Sequence, residues 1–315
     1  MDLRQLRYFQ AIAETGSISA AAQRLNVAQP ALSLHLRNME EHLGTKLLLR
    51  GARGVKLTEA GEMLLARARR LLIDMSRLED DIRNLGREPQ GDVRLGLPGT
   101  IGGILSPDLV LAAKAQLPGV RLTISEAMSG FVLDWLREGR VDLAVLYLPA
   151  TDARFRSELL LQEELVLLVP PGHDISAEIE ASALLDLPLI LPGPAHGLRQ
   201  LLEGWARARG IRLAVNIELD SYQNIKELVE RGKGVSILPL HAVAREAAAG
   251  TLKVVRWHAA DCLREVYLVG PLAEASSHAC AAVMSLLREL MRKQVQGERW
   301  TGTRWLGASV FDSTV

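Results

Sequence analysis

Pro30, Ser33, Leu34 and Arg37 lie on one side of the segment QPALSLHLRNMEEHL, opposite an apolar stripe of Leu32, Leu36, Met39 and Leu43 at spacings of four, three and four. A hydroxyl, a small apolar contact and a cation on an uncovered helix face have the chemistry to meet base edges and phosphates. A second set of polar residues comes later in the chain. Thr100, Ser129, His196 and Arg199, together with Ser221, Tyr222 and Gln223, sit where strand-like runs pass into helical periodicity. Hydroxyls, unpaired helix-start amides and one or two cations converging there would suit a small carboxylate or other anion. A plainer reading makes Thr100 and Ser129 simple N-caps, Arg199 a surface cation, and His196 a partner for a loop carbonyl.

The elements that would present the first set are short and local. Residues 2–14 predict a helix with Leu3, Leu6, Phe9, Ile12 and Ala13 on one face. Ser17 is suited to cap a second helix, whose Ala20, Ala21, Ala22 and Leu25 permit a close crossing. Asn26 tolerates the left-handed conformation that ends it. Pro30 then opens the next helix at its first position, where a missing N–H costs nothing. Two short helices and a tight turn describe a helix-turn-helix, whose second helix enters the major groove. After Gly44, the run Lys46–Arg50, the turn Gly51-Ala52-Arg53-Gly54 and the strand Val55–Leu57 predict a hairpin with Arg53 at its tip. A basic hairpin in this place is a wing, suited to phosphates or the minor groove.

The run from Leu3 to Gly61, above all GSISAAAQRLNVAQPALSLHLRNMEEHLGTKLLLR followed by GVKLTEAG, resembles the LysR-type transcriptional regulators. Within that family, RGVKLTEAG and AVLYLP are similar to the nitrogen-assimilation control regulators, which resemble effector-free members. The resemblance implies that Gln29, Pro30, Ser33 and Leu34 approach double-stranded DNA, with Arg53 in or near the minor groove. Arg37 and Arg50 complete the expected DNA-binding set. Leu34 and His35 stand where many relatives carry polar or basic residues, and Leu34 could touch a thymine methyl. The resemblance further implies two α/β subdomains around a cleft, as in periplasmic solute-binding proteins. A small-molecule effector would bind there, at Thr100, Ser129 and the loop around His196.

From Thr58, a suitable N-cap, to about Arg87 the pattern is one long helix. Leu64, Ala68, Leu71, Met75, Leu78, Ile82 and Leu85 form an unbroken heptad seam on it. About 30 residues at ~1.5 Å each give a helix of roughly 45 Å, longer than a 60-residue domain can cover. A second copy of the chain is the expected partner, giving a homodimer and, through the α/β domains, a homotetramer. RNA polymerase is a further candidate partner. Glu88-Pro89-Gln90-Gly91 reads as a hinge.

Beyond it strands and helices alternate, which predicts an α/β domain with parallel sheets. The expected fold is thus a winged helix-turn-helix (residues 1–60), a linker helix (58–87) and an effector domain (91–293). Subdomain I would take about 91–164 and 268–293, and subdomain II about 165–267. The tail, 294–315, carries Trp300 and Trp305 without periodicity, and reads either as disordered or as covering an oligomer contact.

Composition narrows the function. Among residues 1–60, eight Lys/Arg face five acids, a net +3, while residues 91–315 hold 23 bases and 26 acids. The small basic surplus falls on the helix-turn-helix, where DNA binding needs it. No basic leader or membrane-length apolar run is visible, and Cys262 and Cys280 are far apart, so a reducing cytoplasm with both thiols buried is expected. His35, His42, His173, His196, His241, His258 and His278 show no metal-ligand spacing, and no GxSxG elbow or Walker loop occurs. No cofactor or metal is expected. One alternative function is an effector-independent regulator of the same family; the other, a small-molecule-binding protein or enzyme built on the α/β half, gives the helix-turn-helix no purpose.

Overall fold

The computed structural model describes residues 1–51, 54–83, 88–176, 178–257, 262–272 and 276–307. The hairpin tip with Arg53, the last seam residue Leu85, and His258 lie outside them. The chain divides into two compact units, one built on residues 1–88 and one holding residues 89–134 and 142–315.

The first unit begins with α1 (Leu3–Thr15), where Asp2 and Gln5 form a reciprocal capping box. Leu6, Phe9, Ala11 and Ile12 are buried, whereas Leu3 remains exposed. In α2 (Ile18–Arg24), the Ser17 side chain accepts from the Ala20 amide, as its sequence position predicts. Asn26 has φ +54°, the left-handed turn between helices. In α3 (Gln29–Leu43), Ala28 is the N-cap and Pro30 the second helical residue, one place later than expected. Leu32, Leu36 and Met39 are buried on the core stripe, but Leu43, at the helix end, is exposed.

Strands β1 (Leu48–Gly51) and β2 (Gly54–Leu57) pair antiparallel, with Leu48 opposite Leu57 and Arg50 opposite Val55. Gly54 has φ +113°, and a Cβ there would come within 2.4 Å of the Gly16 carbonyl, so only glycine fits. Close by, the Gly16 carbonyl accepts from Val55 N at 2.9 Å, fastening the hairpin to the end of α1. The buried Glu40 carboxylate makes a second fastening. It accepts from Lys46 Nζ at 2.7 Å and from the Leu47 amide at 3.0 Å. Burial alone would raise the Glu40 pKa; Lys46 and the amides of Leu47 and Leu48 outweigh it and hold the pKa below the usual range.

Helix α4 (Glu59–Arg83) starts after Thr58, whose hydroxyl accepts from the Gly61 amide at 3.0 Å. The predicted seam is split by burial. Ala68 joins the core of this unit with Leu65, and Leu64 and Leu72 pack against it. Leu71, Leu78 and Ile82 of the same seam are instead 52%, 53% and 68% exposed. Among the described residues, no helix is long and apolar enough to cross a membrane.

The second unit is α/β, but its main sheet is mixed rather than parallel. In chain order its elements begin with β3 (Gln90–Leu97), α5 (Gly99–Gln116), β4 (Gly119–Glu126), α6 (Ser129–Arg137), β5 (Leu143–Leu146) and β6 (Phe155–Val169). There follow β7 (Glu178–Ile179), β8 (Leu189–Leu191), α7 (Gly197–Ala208), β9 (Val215–Glu218), α8 (Tyr222–Glu230) and β10 (Ser236–Pro239). The unit ends with α9 (Ala244–Ala249), β11 (Lys253–Trp257), β12 (Leu263–Pro271), α10 (His278–Gln296) and β13 (Thr303–Trp305). Strand order in the main sheet is β4-β3-β5-β12-β6-β11-β7, with β10 and β13 also on β6. β3 pairs parallel with β4 and β5, whereas β12, β10, β11 and β13 all run antiparallel to β6.

β6 is the long element that sequence periodicity shows only from Leu165 onward. It passes unbroken through 164–165, placing Leu160 and Leu161 in one core with β3, α5 and α10. Leu165–Val169 enter a second core with β8, α7, α8 and β11. Cys280 is buried in the first of these cores and Cys262 in the second.

The tail folds back onto this unit through residue 307. α10 runs on to Gln296, and β13 pairs with Glu163–Leu161 of β6. Trp300 is 1% exposed and donates its indole N–H to Glu163 Oε1 at 2.9 Å. Trp300→Ala is expected to destabilise this unit by about 3–5 kcal/mol, the cost of emptying an aromatic site in a core. Urea unfolding of the full chain, followed by circular dichroism, measures it; a loss under ~1 kcal/mol would mean that the tail adds little to the core.

Candidate DNA-binding face and ligand cleft

The outer face of α3 is uncovered. Gln29, Pro30, Leu34 and Arg37 are exposed and Ser33 is half-buried. Gln29 Nε2 donates to Ser33 Oγ at 3.1 Å, which joins the two polar groups at the start of the helix into one patch. Leu34, 53% exposed, stands beside them as an apolar contact without a partner in the core. The hairpin brings the Arg50 backbone into β1 next to this helix in sequence, and Glu40 ties the two together.

In the second unit two cavities of about 480 and 340 Å³ share Ser129, Gly130, Tyr147, Ala195 and Gly197 in their walls. Thr100 and His196 line the smaller one, so three of the four expected ligand residues come together. The roles of Thr100 and Ser129 differ from simple capping. α5 is capped by Pro98, and Thr100, its second residue, shares a 2.6 Å hydrogen bond with the Tyr147 hydroxyl. Ser129, the first residue of α6, accepts from the Tyr147 amide at 3.3 Å. His196 is the N-cap of α7: its Nδ1 accepts from the Leu198 amide at 3.1 Å, leaving Nε2 to carry the proton when the ring is neutral. Burial, with the Arg264 charge adding to it, holds its pKa below the ordinary histidine value.

Arg199 is a correction. It is buried outside the cleft, donating from Nε to Glu203 at 2.6 Å and from Nη1 to the Pro192 carbonyl and Glu218 at 3.1 Å each. Its place in the first turn of α7 turns the side chain toward β9, where those three acceptors engage it.

Arg264 is the cation that reaches the cleft. It is 2% exposed, its guanidinium lies 3.7 Å from the Tyr147 ring centroid, and Nη1 donates to the Tyr222 hydroxyl at 3.2 Å. Behind it, Nε donates to Glu163 Oε2 at 2.5 Å. Burial works against the arginine cation, but Glu163 more than offsets that and holds its pKa above the ordinary value. Burial raises both phenols, so Tyr147 and Tyr222 stay neutral. His241 packs on the same carboxylate, with Nδ1 3.3 Å from Glu163 Oε1 but outside hydrogen-bond geometry.

Residues 3–62 match the bacterial regulatory helix-turn-helix protein, lysR family, and residues 86–292 match the LysR substrate binding domain. The chain belongs to the LysR family of transcriptional regulators. It is 31% identical over 294 residues to a probable hydrogen peroxide-inducible genes activator of Mycobacterium avium, covering 92% of this chain and 94% of that protein. It is also 31% identical over 243 residues to the nitrogen assimilation regulatory protein of Klebsiella aerogenes, covering 76% and 78%. The structure of a full-length OxyR variant from Pseudomonas aeruginosa superposes with a TM-score of 0.73 at 27% identity, covering 93% and 95%. As a LysR-family regulator the chain combines a DNA-binding helix-turn-helix with an effector-binding domain.

Three residues of this LysR-family cleft, Tyr147, Arg264 and the underlying Glu163, carry no local sequence signal. Arg264 and Glu163 are 101 residues apart and meet only because β12 pairs with β6. Their neighbour His241 makes the network sensitive to acid. Burial, the leading cause, lowers its pKa to about 4, with Glu163 opposing and Arg264 reinforcing the shift. The unfolded chain therefore takes up a proton near pH 6.5 that the folded chain refuses until about pH 4. Stability should fall across that window as pH drops, by up to about 3 kcal/mol, and level off below it. Unfolding free energies for the protein and for His241→Phe measure the effect as a difference in slope. Parallel slopes from pH 7 to 4 would remove His241 from the account.

Proposed function

We propose that this regulator binds an operator as a symmetric dimer held through α4, with Gln29, Pro30, Ser33, Leu34 and Arg37 of each α3 in the major groove. Arg53, at the hairpin tip, would add a minor-groove or phosphate contact and Arg50 a flanking one. The exposed face of α3 supports this reading most: polar and small residues stand free on it while the opposite stripe is buried. Exposure of Leu71, Leu78 and Ile82 on α4 supports the pairing, because a single copy leaves this apolar row in water. Pairing of α/β domains into a tetramer, and a cytoplasmic location, follow from the same reading.

A small effector in the cleft, touching Thr100, Ser129, Tyr147 and His196, would bias the relative position of the two subdomains. The two conformations must differ in affinity for the effector, since equal affinity shifts nothing.

Footprinting on the chain's own upstream DNA tests the reading. Arg53→Ala is expected to weaken binding to all sequences, by roughly tenfold, and to flatten the salt dependence by about one unit. Ser33→Ala should instead change which bases are preferred. The pair Leu71→Lys and Leu78→Lys should lower the oligomeric mass by light scattering and reduce operator affinity at least tenfold. A dimer that survives both lysines would sink the α4 assignment.

A further inference from the structure

Cations expected in the cleft would favour an anionic ligand, and the charges actually present reverse that preference. Resting on the reading that the effector occupies this cleft, we propose that its ligand is a small organic cation, an amine or amidinium carried on an apolar or aromatic body.

Among the described residues lining the two cavities, Arg264 is the one cation, against Glu126, Asp220 and Glu265. Its charge is already answered by the buried Glu163 and its Nη1 by Tyr222. Arg199 is paired with Glu203 and Glu218 outside the cleft, and Lys226 donates to Glu246 and the Ala242 carbonyl.

Of the helix starts that line the cavities, that of α5 already has a carboxylate beside it. Glu126, at the end of β4, leans over the first turn of α5, where a Cβ on Gly102 would lie 2.1 Å from Glu126 Oε1. Glycine at 102 is what lets the carboxylate come so close. Ser106 Oγ donates to the same oxygen at 3.3 Å. The positive end of the helix dipole thus faces the chain's own carboxylate, and a second anion there would meet like charge. Across the cavity Asp220 holds one oxygen on the Gly193 amide at 2.9 Å. The remaining lining suits a cation as well. The neutral Tyr222 ring adds an aromatic wall, and the Thr100 and Ser129 hydroxyls can accept as well as donate.

The test uses three probes of matched shape on the full chain by isothermal titration calorimetry: benzylamine, benzyl alcohol and benzoate. Benzylamine should bind about tenfold or more tightly than benzoate, with the advantage shrinking as salt rises. Glu126→Gln and Asp220→Asn, both at exposed positions, should each narrow that ratio several-fold. Gly130→Phe, at a position where a Cβ meets nothing within 4 Å, should obstruct the cavities and weaken all three probes. Benzoate binding as well as benzylamine, with both lost in Gly130→Phe, overturns the cation class and leaves the cleft reading standing. Binding that Gly130→Phe leaves intact, or no saturable binding of any probe, overturns both.

Discussion

Glu163 is a carboxylate with 0% of its surface in water, and the second unit is built around satisfying it. One oxygen takes Arg264 Nε at 2.5 Å and the other takes the Trp300 indole N–H at 2.9 Å. Removing one partner of such a pair leaves an uncompensated buried charge and costs about 3–5 kcal/mol. The sheet register is therefore under strong constraint. β12 must place Arg264 opposite Glu163, as it does, and the tail must return far enough to deliver Trp300.

The same constraint shapes the cleft. With Nε fixed on Glu163, the Arg264 guanidinium spreads over the Tyr147 ring, and the Tyr147 hydroxyl is set against Thr100 at the start of α5. Each contact is short and largely shielded from water, so displacing Tyr147 would be felt at Arg264 and, through Glu163, at the tail. Glu163 belongs to the strand that carries both cores, since β6 contributes Leu160 and Leu161 to one and Leu165–Val169 to the other. On the proposed reading, a ligand that moved Tyr147 would push on a group anchored to the strand both cores share, with a buried ion pair as the stiff member of that route.

How much was legible in the sequence follows from whether the signal was local. The helix-turn-helix could be read because caps, the Asn26 turn and the apolar stripe lie within a few residues of what they control. Strand β6 could not, because SELLLQEEL carries polar residues that break the apolar run, and Glu163 is stable there only through partners from β12 and the tail. That Thr100, Ser129 and His196 share a cavity wall was recoverable, since helix starts are local features. Tyr147 and Arg264 were not, and Arg199 misled because a cation at a helix start reads the same whether it faces a cleft or a neighbouring strand. The mixed sheet was hidden for the same reason: apolar strand runs reveal burial but not direction.

The two units also divide the electrostatics. The first sixty residues carry only three more bases than acids, a small surplus from which to draw affinity for a polyanion. Phosphate contacts scale with the number of basic side chains brought to the duplex, so one copy is poorly equipped and two copies double the count at one entropic cost. The apolar row on α4, of which Leu71, Leu78 and Ile82 stay exposed, supplies the means of bringing two copies together on the proposed pairing. In that arrangement the seam carries the association and the small, nearly uncharged face of α3 carries discrimination. Leu34 fits such a division, since an apolar group contributes through a thymine methyl or not at all, and gains nothing from phosphates.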